Sequence, residues 1–148
     1  MTLTNQLGKI SKPFSKELAF MNKTYKILLG NQEIGISRFE KADASMGVVF
    51  GLIEFNEIES PYRFFKNYCA KNGVDINTDD PEFEFIDTHV IPELKVLRPD
   101  GIEIKGVAGN AICGMREEGY EISILGINYP FYAEEFPHHV KAYKEMLK

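Results

Sequence analysis

The sequence predicts an α+β fold, mainly an antiparallel sheet with helices on one face, and three observations carry that prediction. Short segments alternate apolar and polar residues, as half-buried strands do, and Gly-Asn and Asp-Gly turns separate them. Helical patterns follow these strands near Pro61 and Phe136. The pattern of residues 25–73 is also weakly echoed over 94–148. Lys26-Ile27-Leu28 returns as Lys95-Val96-Leu97, Glu33-Ile34 as Glu103-Ile104, Val48 to Phe55 as Tyr120 to Ile127, and Lys66-Asn67-Tyr68 as Lys141-Ala142-Tyr143. The offsets grow from 69 to 70, 72 and 75, as loop insertions would produce in a duplicated unit. Two βββα units, 25–73 and 94–148, joined by an acidic connection over 74–93, are therefore expected.

Residues 1–24 read as an N-terminal helical arm. Leu3, Leu7 and Ile10 fall at helical spacing before Pro13, and Phe14, Leu18 and Met21 after it. Such an arm covers the domain or makes a homodimer. Tyr25 to Leu29 reads as a strand, Gly30-Asn31 as a tight turn and Ile34 to Phe39 as the returning strand. Val48 to Phe55 is a third strand. Ser60-Pro61 supplies an N-cap oxygen and a first-turn residue that needs no amide donor, and Asn72-Gly73 supplies a left-handed stop. Tyr62, Phe65, Tyr68 and Cys69 line the core face of that helix.

In the second unit Asp100-Gly101 makes a turn before a strand over Ile102 to Lys105. Strands follow over Ala108 to Met115 and Tyr120 to Ile124. The final helix presents Phe136, Val140, Tyr143 and Leu147 on one face. The stiff aromatic segment Tyr129-Pro130-Phe131-Tyr132 reads as a structural lid over the sheet edge rather than a binding loop.

Composition narrows the function classes. The chain has 148 residues, 44% apolar and 26% charged, which fits one globular domain around one core. Its 22 acids against 17 bases make a poor nucleic-acid surface. The longest apolar run in the N-terminal region is Leu18 to Met21, too short for a signal peptide, and no apolar run approaches membrane-spanning length. A cytoplasmic setting is expected, with Cys69 and Cys113 as buried free thiols.

Catalytic and metal patterns fail on inspection. Asp75 to Asp80 starts like a calcium loop, but Asp80 stands where glycine must turn the chain and Ile86 where a bidentate glutamate must close the shell. His138 and His139 are adjacent and should diverge by about 100° on a helix, and His89 is isolated. Cys69 lies late in its helix and Cys113 in an apolar strand, neither a place that favours a thiolate. Ser45 and Ser123 lack a nucleophile elbow. The glycines at 101, 106, 109 and 114 fall within hairpins and strands and make no phosphate loop. No cofactor is expected.

Charge placement is what remains. Between Lys71 and Lys95 stand seven acids and no base, while the rest of the chain holds 15 acids and 17 bases. Phe83, Phe85 and Ile86 are interleaved with them. A solvated loop anchored by Phe83 and Phe85 explains the segment structurally; a recognition surface for a basic protein explains it functionally. The expected function is a non-enzymatic protein-binding module, a small acidic inhibitor or immunity-type protein, using Asp75, Asp79, Asp80, Glu82, Glu84 and Asp87. The alternative is a small-molecule-binding module with a pocket between the two echoing units.

Overall fold

The computed structural model describes Ala19 and residues 22–148, so the N-terminal arm lies almost wholly outside the described residues. The strands are β1 (Tyr25–Leu29), β2 (Gln32–Ser37), β3 (Lys41–Asp43), β4 (Val48–Phe55), β5 (Ile76–Asp80), β6 (Phe85–Thr88), β7 (Leu94–Leu97), β8 (Gly109–Met115) and β9 (Gly119–Leu125). The helices are α1 (Pro61–Asn72), α2 (Phe131–Glu135) and α3 (Pro137–Met146), with a 3-10 turn over Ala44–Met46. All nine strands form one sheet in the order β5-β6-β8-β9-β4-β2-β1-β7, with β3 also paired to β4. Every strand pairing is antiparallel. The chain is an α+β protein.

Period-two alternation builds the core. Val49, Gly51 and Ile53 of β4 are buried, and Gly51 stands opposite Ile122, itself opposite Ile112. Directly opposed residues share a face, so this row and its neighbours form one apolar layer. Both helical segments press on that layer. Phe65 of α1 meets Phe55 at 6.1 Å between ring centroids, and Phe136, between α2 and α3, meets Tyr25 at 5.7 Å. Fully burying each such side chain stabilises by about 1.5–3 kcal/mol.

The local signals for α1 act as read. The Ser60 hydroxyl accepts the Arg63 N–H at 3.2 Å, Pro61 occupies the first turn, and Gly73 takes φ 66°. Between β2 and β3 a bend at Phe39 (φ 46°) lets both strands pair with the same side of β4. Phe39 is thereby fully buried against Tyr25 and Phe136. Only glycine fits at position 51 beside the bend, because a Cβ there would lie 2.7 Å from the Phe39 Cα.

Four expectations are corrected. The acidic connection is not a loop; it folds as the hairpin β5–β6 at one end of the sheet. Residues 102–105 make a single bridge, Leu97 to Glu103, since the chain then leaves β7 for the end of β9, where the Val107 and Ala108 N–H groups donate to the Gly126 and Leu125 carbonyls. The echoing units share one sheet, as expected, but do not repeat one strand order within it. β1, β2 and β4 are close neighbours, whereas β7 lies against β1, and β8 and β9 lie beyond β4. The echoing strands β1 and β7 are partners in one ladder, as are β4 and β9, so similar residues answer the similar demands of one half-buried sheet. Leu147, expected on the core face of α3, is 67% exposed, since it falls just past the helix end.

Candidate functional site

The register of β5 and β6 decides what each carboxylate can do. Thr78 opposes Asp87 and Asp80 opposes Phe85, while Asp79 opposes the buried Ile86. Asp79 therefore points to the α1 face, and Asp80 and Asp87 point to the face away from the core. On the α1 face Tyr62 O–H donates to the Asp79 carboxylate and Lys66 Nζ pairs with it at 3.0 Å. The Tyr62 hydrogen bond, helped by Lys66, holds that carboxyl below the usual aspartate range. Glu84, at φ 48° in the turn, pairs with Arg116 at 2.9 Å, and its carbonyl accepts the Tyr120 hydroxyl. These two carboxylates hold the hairpin to the body of the protein.

The other four are placed differently. Asp75 and Glu82 are exposed, and Asp80 and Asp87 are half-buried. Asp80 accepts the Glu82 N–H at 3.0 Å, which tightens the turn. At that turn Phe83 is 54% exposed, so it does not anchor the segment; Phe85 faces outward with Asp80, and the buried Ile86 packs into the core. Among the described residues β5 ends the sheet with a ladder on one side only, and charge on an edge strand discourages pairing with another copy.

Asp87 leads to a surface that sequence reasoning missed. Asp87 opposes Cys113, Cys113 opposes Glu121, and Glu121 opposes Leu52. This row crosses four strands on the outward face. Cys113 is exposed, correcting the expectation of two buried thiols; Cys69 is buried. An alternating strand sends every second residue outward, and Ile112 takes the inward place. Partial burial of its sulfur, with Asp87 and Glu121 beside it, pushes the Cys113 thiol up, the wrong direction for a nucleophile. Burial likewise pushes Cys69 up.

His139 and the aromatic segment bond to backbone carbonyls of the β2–β4 region. His139 Nε2 lies 2.7 Å from the Phe39 carbonyl, which only accepts, so that nitrogen carries the proton. Burial lowers the His139 pKa. The rings of His138 and His139 sit 4.1 Å apart rather than diverging, because both lean on Phe136 at the start of α3. No cluster of three metal-ligating side chains occurs among the described residues. Tyr129 and Tyr132 donate to the carbonyls of Ala44 and Val48 at 2.8 and 3.0 Å.

Glu135 is the most deeply placed carboxylate of the described residues, at 4% exposure. It accepts from Tyr25 O–H at 2.7 Å and pairs with Lys23 at 2.6 Å and Arg98 at 3.3 Å. The cluster ties the start of β1, the end of β7 and the α2–α3 joint together. A hollow of about 940 Å³ is an open groove between β3 and α3 lined by Ala42, Met46, Phe50, His139, Tyr143 and Met146. No helix of the described residues is long and apolar enough to cross a membrane. No protein-family model, curated protein or solved structure matches the chain, so its own geometry carries the reading.

Proposed function

We propose that the protein is a non-enzymatic protein-binding module whose acidic hairpin β5–β6 engages a basic partner, in the manner of a small inhibitor or immunity-type protein. The observation that carries the reading is Phe83, 54% exposed at the hairpin turn among Asp80, Glu82 and Glu84. Edge protection accounts for the acids but not for a large apolar ring held in water among them. An aromatic anchor within a charged field is how protein interfaces combine affinity with steering. A pocket between the two echoing segments has less support, since they meet strand to strand along β1–β7 and β4–β9.

The test uses Asp80→Asn, Glu82→Gln and Asp87→Asn together, and Phe83→Ala separately. Asp79 and Glu84 are left alone because they pair with Lys66 and Arg116. Wild type and variants are immobilised and exposed to native extract at low salt. A basic protein should be retained by wild type, released by added salt, and bound one to three orders of magnitude more slowly by the neutralised variant. Equal retention of the same proteins by all three forms would falsify the proposal.

A further inference from the structure

The outward face of the sheet carries an open groove that the hairpin reading does not use. Two hollows, of about 470 and 200 Å³, flank Leu52 and share Leu52, Glu118 and Gly119 as lining. Leu52 is 44% exposed although β4 lies inside the sheet. Half-buried Phe85 and Met115 continue the apolar floor, with the exposed Cys113 beside them. The walls are acidic: Glu40, Glu54, Glu118 and Glu121 line the two hollows against Arg38 and Lys41. Both bases are already engaged, Arg38 with Glu54 at 2.8 Å and Lys41 with Glu121 at 2.9 Å.

Lys41 shows how this groove treats a cation. Its ammonium is 2.9 Å from Glu121, within the electrostatic reach of Glu40 and Glu118, and 5.9 Å from the centre of the Phe50 ring. The carboxylates are what a lysine or arginine side chain seeks, while the Phe50 ring belongs to the separate groove between β3 and α3. The groove is also spaced for an extended chain. Leu52 and Glu54 are two residues apart on β4, as are Glu121 and Gly119 on β9, so acidic and apolar features follow one another at strand spacing.

We propose that this groove seats an extended cationic segment of a partner protein, with an apolar side chain on Leu52 and basic side chains against Glu118, Glu121 and Glu40. The inference rests on the basic-partner reading above and adds where a segment of that partner lies. In this arrangement Lys41 is a built-in competitor, swinging aside when a partner cation enters.

Cys113 in the groove floor gives a direct test. The probe is a short peptide of alternating arginine and leucine, titrated at low salt while a disulfide reagent such as DTNB reports thiol reactivity; Cys69, 1% exposed, stays silent in the folded protein. Bound peptide should slow Cys113 modification at least about tenfold, and Glu118→Gln with Glu121→Gln should weaken binding by about tenfold or more. Lys41→Gln should tighten binding several-fold, while Lys105→Gln, an equal change of charge at an exposed site outside the two hollows, should not. A peptide that fails to bind, or binds with Cys113 fully reactive and with Lys41→Gln matching Lys105→Gln, overturns the groove assignment. The extract experiment judges the hairpin separately through Phe83→Ala, whose side chain lies outside both hollows, whereas Asp87 borders Cys113 in the groove floor and its change bears on both readings.

Discussion

Replacing Glu135 with Gln removes the one negative charge that Lys23 and Arg98 share inside the protein, while nearly preserving side-chain volume. Breaking a buried ion pair by removing one partner costs about 3–5 kcal/mol when the remaining charge is stranded. Here Lys23 and Arg98 retain 23% and 26% of their side-chain exposure, so water compensates part of the loss. Arg98 also keeps Asp100 at 2.5 Å. The glutamine oxygen still accepts from the Tyr25 hydroxyl, a bond worth about 1 kcal/mol net. The expected destabilisation is therefore about 2 kcal/mol, which lowers the melting temperature by about 4–8 °C for a chain of this size. Urea unfolding at pH 7, followed by circular dichroism, measures it, and Tyr25→Phe alone and combined with Glu135→Gln closes a double-mutant cycle. Coupling is expected, because desolvation and then the Glu135 hydrogen bond hold the Tyr25 hydroxyl protonated far above its usual pKa. A loss below about 0.5 kcal/mol would place Glu135 among ordinary surface ion pairs and refute the view that it locks the α2–α3 joint to β1 and β7.

Two further outcomes follow from the geometry. The unfolded histidine pKa is about 6.5 and burial lowers that of His139 in the fold, so the unfolded state binds the proton first on acidification. Stability should fall as the pH drops below about 6.5 and stop falling below the folded pKa; denaturant midpoints across that range should lose this slope in His139→Gln, and an unchanged slope would contradict the assignment. Gly51→Ala should cost about 1–3 kcal/mol, as overpacking does, since the new Cβ would meet the Ser37 Oγ at 2.6 Å as well as the Phe39 Cα; thermal melting checks it, and a neutral result would show that the Phe39 bend yields freely.

What the sequence made legible was local. The Ser60-Pro61 start and Asn72-Gly73 stop frame α1 because capping chemistry acts within a turn of the chain, and Val48 to Phe55 alternates because one face of β4 is core. The hairpin β5–β6 stayed hidden for a physical reason. Ile76-Asn77-Thr78-Asp79-Asp80 shows no apolar alternation, since a bulge follows the inward Ile76 and the next inward position is filled by Asp79, held by Tyr62 and Lys66 from α1. A charged residue reads as surface until its distant partners are known. Phe39 hid the β2–β3 bend similarly, as a bulky residue at positive φ breaks the usual steric preference and holds there by burial against Tyr25 and Phe136. The acids of 74–93 were visible as a cluster, but their division between two faces depends on register, and the Lys41 site joins residues about eighty positions apart.

The two ends of the sheet sharpen the meaning of that acidity. At β7 the chain covers its own edge: Ile104 N–H donates to the Val96 carbonyl at 2.9 Å and Arg98 N–H to the Ile102 carbonyl at 2.8 Å. At β5, among the described residues, no strand caps the outer side, and protection falls to Asp79, Asp80 and their neighbours. Protection by charge differs from protection by covering, because it is selective. A second copy of this chain would bring the same acids to the edge and be repelled, whereas a basic strand would be drawn toward it. On the proposed reading, the same carboxylates would oppose pairing of this edge with a second copy and favour a cationic partner. High salt should weaken both effects together, while a covered edge such as β7 would be indifferent to it.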